Sequence, residues 1–328
     1  MNVLVVGYGS IGKRHITNLS KFSNLHIFVC TNRKYDSFLK SKKCKIFTSL
    51  DDCIKQKMDV AFITNTTNLH VKTAIKLANA NIHIFIEKPL SNSTNEIKLL
   101  LNIIKKRKLV TMMGCVLRFH PAIQKIKQIT SENKIGKIMS VHAENGSFLP
   151  DWHPYEDYKK SYASCNDLGG GVMLTNIHEL DYLYWFFGNV GEVFSITGKF
   201  SDLDIDVEDL SSILLRFKNN IIAEIHLDYF QKPSIRSCKI VGTHGTVYWD
   251  SNINNVQLYD VDKKKWVDKL KLKNYDVNDM YVDEIKHFFK CVNKGEKSIN
   301  SIEEGAKILN IAIAIKKSSK LKKMVIIN

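Results

Sequence analysis

Near the start of the chain, Gly7-Tyr8-Gly9-Ser10-Ile11-Gly12 sets three glycines at the spacing of a phosphate-binding turn. Between a strand and a helix each glycine would serve a separate purpose. Gly7 would permit the tight turn, Gly9 backbone access to a pyrophosphate, and Gly12 close helix–strand packing. The helix that follows, around Lys13–Leu19, would aim its unpaired N–H groups and positive dipole end at the phosphates, with Ser10 and Ile11 of the turn also in the cofactor-binding set. About 20 residues beyond the last glycine, a carboxylate would bind a ribose 2′-hydroxyl and repel a 2′-phosphate. Here stand Thr31, Asn32, Arg33 and Lys34, with no carboxylate until Asp36. A hydroxyl, an amide and two cations favour NADP over NAD as cofactor; in the plainer reading Arg33 and Lys34 face solvent.

The elements that must position this turn are legible. Val3–Val6 reads as a buried strand and the residues around Lys13–Leu19 as a helix. Further strands are expected at His26–Cys30, Asp59–Ile63 and Ile82–Ile86, with helical periodicity over Leu69–Ala80. That alternation predicts an α/β fold with a doubly wound parallel sheet, and a ligand outside the carboxyl ends of its strands. Thr64, Asn65, Thr66, Asn68 and His70 stand at one such end, and Glu87-Lys88-Pro89 at another. They are site candidates by position.

The second half changes character. Ser211–Phe217, Ile221–Leu227, Ser237–Val241 and Thr246–Asp250 are strand-like runs with little helix between them, as an antiparallel sheet requires. One face of such a sheet stays open unless a second subunit covers it, so a homodimer or homotetramer through that face is expected. His178 and Asp181 are three apart and share a face if Val172–Phe187 is one helix; His178 titrates near neutrality and suits acid/base work. Trp152, His153, Tyr155 and Tyr158 form an aromatic loop able to stack on a sugar, or else a buried plug beneath the loop. His153, Glu156 and Asp157 lack metal-ligand spacing, so no metal is expected.

Glu87-Lys88-Pro89, Arg118-Phe119-His120-Pro121, Gly169-Gly170-Gly171 followed by His178 and Asp181, and Gly242-Thr243-His244-Gly245-Thr246-Val247 join the glycine turn in a pattern that resembles the Gfo/Idh/MocA oxidoreductase superfamily across nearly the whole chain. The resemblance implies a dinucleotide-binding Rossmann domain at 1–120 and a substrate-binding and oligomerisation domain with a large, mostly antiparallel open sheet at 121–328. It also implies an NAD(P)-dependent enzyme moving a hydride between nicotinamide and a sugar or nucleotide-sugar carbon. Lys88 is then the group that donates to, or takes the proton from, the reacting oxygen, with His178 as its partner. Asp181 would orient the histidine or hold a sugar hydroxyl, and Arg118 would contact a phosphate or the nicotinamide amide. Glu87, Thr64, Asn65 and His70 fall in the cofactor-binding set. The stretch from Leu149 to Tyr158 is similar to members associated with surface-sugar and sialic-acid-like pathways. One departure stands out: many sugar dehydrogenases of the family carry an aspartate one turn before the histidine. This chain has Leu174-Thr175-Asn176 there, so Thr175 and Asn176 are substrate-binding candidates but not bases. The departure also leaves open a cofactor-binding regulator or assembly partner without turnover.

Composition fits this frame. The 328 residues suit about two domains. The net charge of +15 suits a phosphorylated small molecule or solvated lysines, and no recognised nucleic-acid module accompanies it. The seven cysteines are scattered without a Cys-x-x-Cys pair, which points to a reducing, cytoplasmic setting. No apolar run approaches membrane-spanning length.

Overall fold

The computed structural model describes residues 1–327. The chain divides into two compact units, Met1–Val116 with Asn278–Leu309, and Leu117–Val277 with the residues from Asn310 onward. The first unit therefore takes in a C-terminal segment as well as the N-terminal stretch, and a single cut at residue 120 describes only part of the division.

In the first unit, β1 (Asn2–Val6), α1 (Ser10–Leu19), β2 (His26–Cys30), α2 (Ser37–Ser41), β3 (Lys45–Phe47), α3 (Leu50–Ile54), β4 (Val60–Ile63), α4 (His70–Asn79), β5 (His83–Glu87), α5 (Ile97–Arg107) and β6 (Thr111–Gly114) follow in order. The six strands form one parallel sheet ordered β3-β2-β1-β4-β5-β6. The order reverses between β1 and β4, the point where open α/β sheets bind ligands. β1, β4 and β5 are almost wholly buried, as their unbroken apolar runs demand. From the C-terminal segment, Phe288 meets Phe62 and Phe85 edge-on with ring centres 5.7 Å from each.

The second unit runs through α6 (Pro121–Ser131), β7 (Ile138–Gly146), α7 (Val172–Thr175), α8 (His178–Phe187), β8 (Val190–Gly198), β9 (Leu210–Phe217), β10 (Ile222–Asp228), β11 (Ile235–Gly242), β12 (Gly245–Asp250), β13 (Asn255–Asp260) and β14 (Lys265–Lys271). After α9 (Asn278–Lys294) of the first unit come α10 (Ile302–Leu321) and β15 (Val325–Ile326). The large sheet is ordered β14-β13-β12-β11-β7-β10-β9-β8-β15; β7 and β10 run parallel and the other pairs antiparallel. Strict alternation sends Ile213, Leu215 and Phe217 of β9 into the core. Leu214 stays exposed, beside Phe194 and Ile196 of β8, on the open face.

The single helix expected over Val172–Phe187 is two. Asn176, at φ −97° and ψ 36°, leaves helical geometry and closes α7, and α8 begins afresh at His178. Asparagine hydrogen-bonds locally and favours helix ends over interiors, which accounts for the break.

Candidate active site

The glycine turn sits at the end of β1. Gly7 has φ +106°, and a Cβ there would lie 2.6 Å from the Asn65 nitrogen, so conformation and space both require glycine. A Cβ on Gly12 would come within 2.5 Å of the Gly7 oxygen, the close helix–turn packing that the spacing implies. A Cβ on Gly9 would meet nothing within 4 Å, and no side chain caps α1. Open space thus lies against uncapped N–H groups and the positive end of a ten-residue helix, which fits a pyrophosphate. Of the other residues at this turn, Ser10 is exposed and Ile11 half-buried.

Beyond β2, Thr31 is buried and its Oγ1 accepts the Arg33 N–H at 3.1 Å; Asn32, Arg33 and Lys34 are exposed. Asp36 is occupied: its two oxygens lie 2.9 and 2.8 Å from the Tyr8 hydroxyl, and one also accepts the Leu39 N–H, capping α2. The Leu39 bond and the Tyr8 bond hold this carboxyl below its ordinary range, while burial, with the neighbouring Asp36, raises the Tyr8 phenol. Nothing in the glycine spacing announces Tyr8, the residue between the first two glycines, as the partner of that carboxylate.

At the end of β4, Thr64 Oγ1 donates to Val6 and Gly7 carbonyls, and Asn65 Nδ2 to Thr73 Oγ1. Thr66 is half-buried and Asn68 exposed. His70 lies buried with Nδ1 2.8 Å from the Pro89 oxygen and Nε2 3.0 Å from the Asn65 oxygen, so it ties the β4 loop to the β5 loop. A neutral ring donates to one of these carbonyls, and burial, outweighing both bonds, lowers its pKa. At the end of β5, Lys88 is half-buried and precedes a cis Pro89. The Glu87 carboxylate is turned inward, Oε1 lying 2.6 Å from His15 Nε2.

In the second unit Arg118 and Asp181, both expected at the ligand, form an ion pair with each other. Arg118 Nε and Nη2 reach the two Asp181 oxygens at 3.0 and 2.8 Å, and both side chains are fully buried. Asp181 is therefore held by Arg118, although its spacing from His178 suggests a residue that orients the histidine. Two residues before Asp181 in the chain, the fully buried Glu179 has Arg236 Nε at 2.8 Å, and its other oxygen accepts from Asn145 Nδ2 at 3.4 Å. Burial raises the Glu179 carboxyl despite the arginine. Glu179, Arg236 and Asn145 have no distinguishing spacing, and no local signal in the sequence finds them. His178, Thr175 and Asn176 are all buried. Trp152 is half-buried and anchored, its Nε1–H on Ser147 Oγ at 2.9 Å and its ring edge-on to Tyr229 at 5.4 Å. Tyr155 is 76% exposed, with its hydroxyl 3.2 Å from His153 Nδ1, while His153 and Tyr158 are half-buried.

His120 gives a pH prediction. Its Nδ1 accepts the Ala122 N–H at the start of α6, and burial, then Arg236, pushes its pKa down to about 4. The unfolded chain binds a proton near pH 6.5 that the folded ring refuses until about 4. Stability is thus expected to fall as pH drops through that window, by about 3 kcal/mol at its foot. Urea unfolding at stepped pH checks this; His120→Asn, which retains a cap, should flatten the fall.

A parallel sheet with a glycine turn at its switch point defines a dinucleotide-binding Rossmann unit. The chain belongs to the Gfo/Idh/MocA oxidoreductases: residues 1–115 match the family's NAD-binding Rossmann fold and 123–248 its C-terminal domain. A myo-inositol 2-dehydrogenase of Thermotoga maritima is 26% identical over 343 positions, covering 99% of this chain and 98% of that protein. A 2,7-anhydro-N-acetylneuraminate hydratase of Escherichia coli is 26% identical over 204 positions, 60% of this chain and 52% of its own length. A levoglucosan dehydrogenase solved with NADH shares the fold at a TM-score of 0.90, with 19% identity, over 100% of this chain and 99% of that one.

Proposed function

We propose that this oxidoreductase transfers a hydride between a nicotinamide dinucleotide, NADP in preference to NAD, and a hydroxyl or keto carbon of a sugar or nucleotide-sugar. The observation that carries this reading is the alignment of three strand ends on one sheet: the open glycine turn after β1, Thr64 after β4 and Lys88 after β5. The residues present fit the cofactor. The first-turn amides of α1 would hold its phosphates, and Thr31, Asn32 and Arg33 its adenosine ribose. Two exposed cations and an occupied Asp36 favour a 2′-phosphate. When bound, the nicotinamide accepts or returns the hydride. Lys88 and His178 carry the proton to and from the substrate oxygen; Thr175, Asn176, His153 and Tyr155 contact the sugar, with Trp152 holding their loop. The three relatives act, by their names, on a cyclitol, an anhydro-sialic acid and an anhydro-sugar, which supports a polyhydroxylated substrate and a place in sialic-acid-like or surface-sugar metabolism.

A second copy of the chain is proposed to cover the exposed Phe194, Ile196 and Leu214, giving a homodimer or homotetramer. The setting proposed is cytoplasmic; all seven cysteines are free, and among the described residues no helix is long and apolar enough to cross a membrane.

Calorimetry with both dinucleotides, followed by reduced-nicotinamide absorbance over a sugar panel, tests the reading. NADP is expected to bind the more tightly, and Gly9→Val to abolish binding while the protein stays folded, since its side chain would enter space now empty. Tight binding with inertness towards every sugar would instead support a cofactor-binding regulator, and no binding of either dinucleotide would overturn both.

A further inference from the structure

The helix that begins at the glycine turn also reaches the neighbour of Lys88. One turn beyond Gly12, His15 is fully buried against Phe62 and Phe85, with ring centres 5.3 and 5.2 Å away, and against Tyr281 of α9. Its Nε2 lies 2.6 Å from Glu87 Oε1, while its Nδ1, buried, has no hydrogen-bond partner among the described residues. A proton on Nδ1 would be stranded, whereas one on Nε2 meets a carboxylate; the ring is therefore the Nε2–H donor. Glu87 is confined on its other side as well. Its Oε2 accepts the main-chain N–H of Lys88 at 3.3 Å, and a Cβ on Gly114 would stand 2.8 Å from that same oxygen. One ring thus fixes one carboxylate, and that carboxylate holds the backbone of Lys88.

We propose that His15 is a positioning residue for Lys88, acting through Glu87: it holds the carboxylate against the Lys88 main-chain N–H and so fixes the backbone from which the amine extends. Among the described residues, the charged and titratable groups around this point are Glu87 and Lys88 on β5 and its loop, His70 on α4 and His15 on α1; α9 brings Tyr281, whose ring carries Arg14 at 4.5 Å, and one turn further on the fully buried Glu284. β6 contributes Gly114, which adds no charge. The arrangement explains why a histidine sits in an aromatic pocket with one nitrogen unsatisfied: the short bond to Glu87 offsets that cost. It also joins the two ends of the proposed site, because α1 serves the phosphates at its N-terminus and the lysine one turn later.

The inference rests on Lys88 being the proton-transfer group, and its test separates the two ideas. The pH profile of sugar oxidation by the cofactor-loaded enzyme is compared for wild type, Glu87→Gln, His15→Leu and His15→Gln. Glu87→Gln keeps the shape and removes the charge, so the pH of half-maximal kcat is expected to move down by about one unit. His15→Leu leaves the carboxylate without its donor, so it turns to the Lys88 ammonium; kcat is expected to fall about tenfold and the half-maximal pH to rise, with KM for the sugar within about threefold. His15→Gln restores an N–H donor and should return both to near wild type.

A second readout needs no turnover. Isotopic reductive methylation of the protein without cofactor gives an amine resonance that Lys88→Gln lacks, and its half-titration pH should move in the same two directions. Coincident pH profiles and amine titrations for wild type, Glu87→Gln and His15→Leu would overturn the inference, as would a His15→Gln enzyme as impaired as His15→Leu. If Lys88→Ala retained full turnover, the reading of Lys88 would fail instead, and the amine titration would still decide whether His15 and Glu87 govern that amine.

Discussion

Lys88→Ala is expected to lower kcat for the active sugar by roughly 10²–10⁴-fold, the range lost when a positioned acid/base group is removed. The size of the effect follows from where the amine stands. Lys88 lies at the carboxyl end of β5, two strands from the glycine turn in a sheet whose strands all run the same way. Its side chain is half-buried, so truncation leaves no large cavity. The backbone around it is held from outside the side chain, by Glu87 on its N–H, with His70 Nδ1 2.8 Å from the Pro89 oxygen. The variant should therefore fold normally and bind the dinucleotide within a few-fold of wild type, so that the loss appears in kcat. Lys88→Arg keeps a cation but not a group that readily gives up its proton, and is expected to be nearly as poor in sugar oxidation. Turnover by Lys88→Ala at the wild-type rate would remove Lys88 from the chemistry and leave His178 to act alone.

The contrast between Lys88 and Arg118 shows what the sequence can and cannot say. Strands buried on both faces write themselves as unbroken apolar runs, which is why β1, β2, β4 and β5 are legible within a residue or two. β6, Thr111-Met112-Met113-Gly114, is as deeply buried but lacks β-branched residues beyond its first, so no strand signal marks it. β14, Lys265–Lys271, is a charged edge strand, exposed along most of its length, and carries no apolar run to mark it. The site divides along the same line. Gly7, Gly9 and Gly12 act within six residues of chain, so their spacing carries their role. Arg118 and Asp181 are 63 residues apart, His15 and Glu87 are 72 apart, and Tyr8 and Asp36 are 28 apart. Only the packing of helices on sheets brings them together, and no local pattern records that one charge satisfies another. Charged residues in such a chain invite a reading as ligand contacts, while several of them serve one another.

Arg118→Met is accordingly expected to destabilise the protein by about 3–5 kcal/mol, the cost of stranding one member of a buried ion pair. Both Asp181 oxygens lose their donors, and the carboxylate is wholly enclosed, so water cannot replace the guanidinium. The guanidinium also sits 5.6 Å from the centre of the Trp185 ring, a contact that methionine replaces only in part. In thermal unfolding this should read as a fall of roughly 10 °C in the transition of the second unit. Removing both charges tests the cause: Arg118→Met with Asp181→Leu fills the space with apolar atoms and leaves neither group stranded, so most of the lost stability should return. A ligand-contact role predicts the opposite pattern, with Arg118→Met as stable as wild type, dinucleotide or sugar affinity reduced, and nothing regained on changing Asp181. The two side chains are fully buried, and a bidentate bond already occupies the guanidinium edge that a phosphate would need. Stability, and not affinity, is therefore the quantity this substitution should move.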